Sequence, residues 1–329
     1  METLSRFIGL TVVSVVTALH LNSTAFAQST VSPISLRNAE HVAAATNVPV
    51  LGVARGGSRI VTVGDHGVVL LSDDDGKSYR QARVVPTNLT LAATYFVGSR
   101  KGWAVGHGGV IIATEDGGET WQLERSDMSV DQPLFSVYFR DEKEGWAVGL
   151  WSLMLHTTDG GRHWSQLAVP VPLGGKKADK NLYSIFSNGN GTLLMTSEQG
   201  LVLRSTDDGA TWDYVKTGYS GSLWTGIGLR DGTLLVGGLR GSVLRSEDNG
   251  KTWSTVRSDL ASSITAFGEQ SDGSVVAVGV DGAVLKSTDG GRSFNGKTLS
   301  GREALTAVLP QAGAAAHLFS DGGPLDIVR

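Results

Sequence analysis

Six aspartates recur in one setting, Ser/Thr-x-Asp-x-Gly-x-x-aromatic, and they are the most conspicuous candidates for chemistry in the sequence. They are Asp74, Asp116, Asp159, Asp207, Asp248 and Asp289, closed in turn by Tyr79, Trp121, Trp164, Trp212, Trp253 and Phe294. Carboxylates at fixed spacing could serve acid–base chemistry or hold calcium. A reaction needs its groups once, whereas a turn built into every repeat needs them every time. The setting therefore reads as a structural box. Its Asp accepts hydrogen bonds from its own turn, its Gly permits positive φ, and its aromatic covers an apolar seam. Outside the boxes, Tyr219 with Glu198 and Arg240 is the best catalytic trio: a glycosidase with a Tyr nucleophile needs a partner acid and an Arg for an anionic substrate. His66 and His107 fall in turns of adjacent repeats, but two lone His do not make a ligand set, and no metal or cofactor is expected. Zero Cys removes thiolate ligands, Cys nucleophiles, disulfides and Cys-linked lipid.

The elements that must carry these residues follow from the repeat. The first residues of successive boxes lie 42, 43, 48, 41 and 41 apart, a period of solenoids, propellers and arrays. Each period begins with an apolar stretch such as LFSVYF (134–139). A second strand such as GWAVG (145–149) follows, then a Gly-containing turn, a third strand such as GSVLRS (241–246), the box, and a short fourth strand such as WSTVRS (253–258). No segment carries a 3.6-residue apolar period over ten residues. Four short strands with turns between them make one antiparallel sheet, and such sheets arranged radially make a β-propeller. The fold class is thus all-β. Small residues at one place in the first strands, Gly52, Ala93, Ser136, Ser184, Thr225, Thr265 and Thr306, count seven blades, as expected where strands crowd round a central channel. The seventh unit ends before a box, so a strand from within 30–45 is expected to close the ring.

Composition agrees. The chain has 44 Gly in 329 residues, about double the usual share, as repeated tight turns require. A net charge of −4 gives no basic field for nucleic acid. The apolar run FIGLTVVSVVTALHL (7–21) follows Arg6 and ends in Ala25-Phe26-Ala27, a secretory signal with a cut after Ala27. The expected organisation is a cleaved leader (1–27) and one propeller (28–329). The expected product is a periplasmic monomer with no membrane anchor after cleavage.

Strand alternation sorts the loops onto two faces. Box turns share one face with the loops between strands one and two. The turns between strands two and three share the other with the inter-blade loops. On this second face the frame repeats and the side chains vary, as binding loops on a rigid scaffold do. Its candidate partner-binding residues are Asp65, His66, His107, Trp151, Glu198, Arg240 and Asp281. Lys176 and Lys177 join them from PVPLGGKKADKN (170–181), which with ERSDMSVDQP (124–133) forms the two longest inter-blade loops. Trp151 stands where sibling turns carry Gly or small polar residues, and an exposed Trp beside a Lys-rich loop suits a protein hot spot.

The boxes are Asp-box (BNR-type) repeats. The blades GWAVGHGGVIIATEDGGETW (102–121) and GWAVGLWSLMLHTTDGGRHW (145–164) resemble the photosystem II assembly factor family, Ycf48/Hcf136-like, and the resemblance runs from about 45 to 329. It implies a seven-bladed, exported, non-enzymatic propeller that binds membrane-protein assembly intermediates through an Arg-rich surface. Arg204, Arg245 and Lys286, just before three consecutive boxes, are the residues here nearest to such a surface. The alternatives are a sialidase-like glycoside hydrolase, also an Asp-box fold, and a carbohydrate-binding propeller using Trp151. Against the hydrolase, the Arg-Ile-Pro signature is missing, with Arg59-Ile60-Val61 the nearest string.

Overall fold

A computed structural model describes residues 36–311 and 315–325. The expected leader lies outside the described residues, and no helix among them is long and apolar enough to cross a membrane. The alternation of apolar and polar residues produces short antiparallel strands joined in simple up-and-down order. Blade 1 comprises Val50–Gly56, Arg59–Gly64, Val69–Ser72 and Arg80–Gln81, hydrogen-bonded in that sequence. Blades 2 to 6 repeat the order over 91–125, 134–166, 182–216, 223–255 and 264–298. Blade 6 gains a parallel strand, Arg257–Ser258, from the chain leaving blade 5. Blade 7 has three strands among the described residues, Leu305–Pro310, Ala316–Ser320 and Gly323–Pro324. The chain is a seven-bladed β-propeller.

The core is a ring of clusters between blades rather than one central mass. Second-strand residues are buried, apart from Arg59 and Lys101 at the starts of theirs, and each cluster joins two neighbours, as Val61, Leu71, Ala104 and Ile112 join blades 1 and 2. The joint between blades 7 and 1 is smaller, with Val50, Ile60, Ala307, Leu309 and Phe319. There a polar clasp replaces part of the apolar contact. Asp75 accepts from Arg55 Nη2 (2.8 Å) and Gln311 Nε2 (2.7 Å) and lies 3.2 Å from Nε2 of buried His317. The Arg55 guanidinium and then Gln311 hold the Asp75 carboxyl at about 2, below its usual value.

Residues 36–45 do not supply the strand expected to close blade 7. They form no strand and run along blade 1 instead, where Ala39 N–H donates to the Val85 carbonyl (2.9 Å) and Val42 N–H to Gln81 Oε1 (3.2 Å). The following turn, Ala45–Asn47, reaches blade 7 by backbone: a Cβ on Gly323 would lie 1.8 Å from the Thr46 carbonyl oxygen. The rest of the expected strand, 30–35, lies outside the described residues.

The seven small first-strand residues also need one adjustment. Every first strand carries a bulge after its leading core residue, where pairing with the second strand skips one position. Counted through that bulge, the equivalent residues are Gly52, Ala93, Ser136, Ser184, Thr225, Ala266 and Ala307. Thr265 and Thr306 are bulge residues, one position earlier. Small size has the expected cause: a Cβ on Gly52 would sit 2.8 Å from Cα of Ala93 in the next blade.

Candidate functional site

On the box face nearly every box polar atom is committed. The Ser or Thr hydroxyl donates to Oδ1 of the Asp (2.7–2.9 Å) and accepts the box Gly N–H (2.8–3.0 Å) in all six copies. The residue before the aromatic supplies the rest. Its N–H donates to Oδ1 (2.9–3.0 Å), and its side chain meets Oδ2 (2.6–2.7 Å) from Ser78, Thr120, His163, Thr211, Thr252 and Ser293. Sequence reasoning missed this partner, although five hydroxyls at one fixed spacing were there to be read. The Ser78 hydroxyl, then its N–H, holds Asp74 at about 2, and Thr211 does the same for Asp207. At Asp248 and Asp289 burial pushes the other way and is outweighed by the hydrogen bonds, again giving about 2. Carboxylates so firmly ionised and so fully bonded are turn staples, with no proton to exchange near neutrality.

Each box also locks its blade to the one before. A Cβ on Gly161 would lie 2.9 Å from Trp103, on Gly209 2.8 Å from Trp146, on Gly250 2.7 Å from Leu194 and on Gly291 2.8 Å from Leu235. Arg204 Nε donates to the Asn249 carbonyl, and Arg245 Nε to the Gly290 carbonyl (2.9 Å). These two arginines are struts into the next blade's box, not an open surface. Lys286 makes no such hydrogen bond among the described residues.

The opposite face gathers all the candidate partner-binding residues of the turns. In six blades the turn between strands two and three is tied by backbone to the start of its own first strand, as Asp65 N–H is to the Pro49 carbonyl (3.3 Å) and His107 N–H to the Thr90 carbonyl (2.9 Å), and in blade 4 Ser197 Oγ donates to the Asn181 carbonyl (2.8 Å). The turn tip is left-handed: His66 (φ 57°), Gly108 (63°), Trp151 (52°), Gln199 (58°), Arg240 (57°) and Asp281 (58°). His107 thus stands one position before His66 in its turn, and among the described residues no group of three or more His, Cys, Asp or Glu could hold a metal. Asp65 accepts from Thr90 Oγ1 (2.9 Å), Asp281 pairs with Arg302 (3.5 Å), and Lys177 meets Asp179 (3.7 Å). Lys176 is exposed.

Blade 3 departs from this pattern. The next turn position is Gly in blades 1, 2, 4, 5 and 6, where added Cβ atoms would press on the inter-blade loop, as at Gly67 against the Thr87 carbonyl oxygen (2.0 Å). Blade 3 has Ser152 there, also left-handed (φ 59°). The 170–181 loop makes room, and Ser152 donates from N–H (2.8 Å) and Oγ (3.1 Å) to the Lys180 carbonyl. Asn181 Oδ1 accepts the Trp151 N–H (3.1 Å). Two successive non-Gly residues are therefore held at positive φ, with the Trp151 side chain 56% exposed. Bulky residues at positive φ store roughly 1–3 kcal/mol of strain, and such strain collects at functional positions. Met128 and Val130 in the loop before blade 3, and Val171 and Leu173 in the loop after it, are also exposed, Leu173 by 87%. Sequence reasoning passed over these four, though apolar residues inside long polar loops were the signal.

The catalytic trio is not assembled. The Tyr219 hydroxyl donates to the Leu239 backbone carbonyl (3.0 Å), and Glu198 faces Tyr183 (3.5 Å) rather than Tyr219. Arg240 forms no ion pair among the described residues and is exposed.

Seven radial sheets stapled by repeated boxes define an Asp-box β-propeller. Residues 81–233 match the family model described as Photosynthesis system II assembly factor YCF48. Both GWAVG blades fall inside that span, so the resemblance to the Ycf48/Hcf136-like family rests on these residues. No curated protein matches the sequence. Among solved structures, a "YCF48 bound to D1 peptide" is similar at 18% identity and TM-score 0.68, over 88% of this chain and 98% of that one. YCF48 from Cyanidioschyzon merolae follows at 15% and 0.67, over 88% and 97%. The WD40 β-propeller domain of Doa1 reaches 14% and 0.65, over 89% and 95%, so at these identities the likeness is one of fold.

Proposed function

We propose that this chain is an exported, non-enzymatic scaffold that holds a membrane-protein complex or assembly intermediate on the face opposite its boxes. The observation that carries this reading is Trp151. It is an exposed indole held at a strained tip between two long loops, on the face where the repeat stops constraining side chains. Exposed Trp on a rigid frame is the residue type on which protein interfaces concentrate their energy. The family match supports an assembly role. A relative solved with a D1 peptide supports a protein segment as ligand. Export follows from the leader read over 1–27, and the mature protein then acts in the periplasm as a monomer.

Affinity capture from detergent-solubilised membranes tests the scaffold reading. Wild-type protein should recover a defined membrane-protein subunit, and Trp151→Ala should reduce its yield at least fivefold. Capture insensitive to every substitution on this face overturns the choice of face. Fluorogenic sialosides and other glycosides should give no turnover, and turnover abolished by Tyr219→Phe overturns the non-enzymatic reading. Sequencing the secreted protein should find Gln28 at its N-terminus.

A further inference from the structure

The bulge repeated in all seven first strands leaves one residue per blade outside the ladder, and bulges re-aim side chains in this way. First strands form the innermost ring, each touching the first strands on either side. The bulge lies at the strand's beginning, beside the turn that joins strands two and three. The seven bulge residues therefore encircle the rim of the central channel on the face opposite the boxes. In blades 6 and 7 they are Thr265 and Thr306, which stitch the ring: Thr265 Oγ1 donates to the Leu305 carbonyl (2.7 Å), and Thr306 Oγ1 to that of Val50. In blades 1 and 2 they are Leu51 and Ala92. In blades 3, 4 and 5 they are Phe135, Tyr183 and Trp224.

Three consecutive aromatics at this position are not needed to build the ring, since Leu, Ala or Thr suffices in the other blades. They are half-buried, neither in the core nor fully in water. Phe135 and Tyr183 stack across the joint of blades 3 and 4 with centroids 6.0 Å apart at 22°. The Trp224 indole N–H has no hydrogen-bond partner among the described residues. The rim is also uneven in charge. Arg240, on the turn of blade 5, and Lys176, in the loop after blade 3, are exposed and form no ion pair among the described residues. Asp65, Glu198, Asp281 and Asp321 occupy the turns of blades 1, 4, 6 and 7, with Glu198 3.5 Å from the Tyr183 hydroxyl and Asp281 paired with Arg302.

We propose that Phe135, Tyr183 and Trp224 form a peptide-binding arc at the channel mouth, which takes an extended segment of a partner protein with an aliphatic or aromatic side chain beside a carboxylate. The apolar side chain enters among the rings, where stacking and apolar burial favour it. The Trp224 N–H donates to a peptide carbonyl, and Arg240 pairs the carboxylate, in the aromatic–arginine combination typical of interface anchors. Glu198 beside Tyr183 and the acidic turns of blades 1, 6 and 7 repel that carboxylate, which leaves it the Arg240 end of the arc and sets the direction in which the segment lies. This inference rests on the scaffold reading above and specifies its ligand.

Arrays of ten-residue peptides of varied composition, probed with the full-length mature protein, test it. Wild type should select peptides with Leu, Ile, Phe or Trp adjacent to Asp or Glu. By fluorescence polarisation, Trp224→Ala and Phe135→Ala, each checked for an unchanged melting temperature, should weaken the selected peptides at least tenfold. Arg240→Glu should reverse the preference for acidic neighbours. If Trp224→Ala fails to fold, Arg240→Glu, on an exposed turn, carries the test alone. The arc is overturned if no peptide is selected, if selected peptides bind these variants as tightly as wild type, or if chito-oligosaccharides compete for the site instead. Membrane capture that needs Trp151 but not Trp224 sinks the arc and leaves the scaffold; no capture at all sinks the scaffold.

Discussion

The two faces of this ring solve opposite problems with the same strands. On the box face, an Asp is bonded by its own turn six times over, and the box Gly presses on the preceding blade. Nothing there can change without disturbing a joint. On the opposite face the backbone is equally fixed, with each turn tied to its first strand, but side chains at the tips range over His, Gly, Trp, Gln, Arg and Asp. One face spends its polar groups on holding the ring together. The other uses the rigidity so obtained to present variable groups in fixed places, which is how binding sites are built on scaffolds.

The sharpest way to break this contrast is to compare glycines. Gly209 has φ 82°, and a Cβ there meets Trp146 at 2.8 Å. Gly209→Val combines left-handed strain with an overpacked joint and is expected to destabilise by about 4 kcal/mol. Gly174 has a similar φ of 84° but open space around it on the opposite face. Gly174→Ala should lose only about 1 kcal/mol. Denaturant unfolding of the two variants measures both, and equal losses would show that the box is not a joint.

A weaker effect, spread over several sites, comes from pH. Asp74, Asp207, Asp248 and Asp289 sit at about 2 in the folded chain against an ordinary 3.8. Their folded pKa values are lowered, so the native state binds fewer protons than the unfolded one. The contribution to stability is complete above about pH 4 and is lost as pH falls toward 2. The melting temperature should therefore drop steeply between pH 4 and 2, and less steeply in Asp207→Asn. A flat profile over that window would mean the carboxylates do not staple their turns.

The boxes were legible because their chemistry is local: donor, acceptor, Gly and aromatic lie within eight residues, and six copies remove chance. Blade order and number followed from the same repetition. What the box touches was not legible, because Gly209 and Trp146 are far apart in the chain and meet only across a joint. The bulge was hidden for a related reason. It is an offset between two paired strands, and a single strand carries no mark of it, so Thr265 and Thr306 aligned one position early with Ser184 and Thr225. Trp151 was visible as an oddity of composition. That it stands at positive φ, with Ser152 beside it and a long loop yielding to both, depends on how Lys180 and Asn181 come back to meet the turn.

That oddity leads to the prediction with the smallest effect on stability. Trp151 is more exposed than buried and occupies a left-handed tip where Gly would be unstrained. Trp151→Gly should therefore leave the melting temperature unchanged or raise the stability by up to about 1 kcal/mol, since relief of φ strain offsets the loss of a mostly exposed ring. The same variant should lose partner capture as fully as Trp151→Ala. Thermal unfolding and capture measured on one preparation separate the two roles. A drop in stability of more than about 1 kcal/mol would return Trp151 to the fold, as a side chain that covers its own blade. Unchanged or raised stability with capture lost would show that the tip is strained in order to hold its indole out toward a partner.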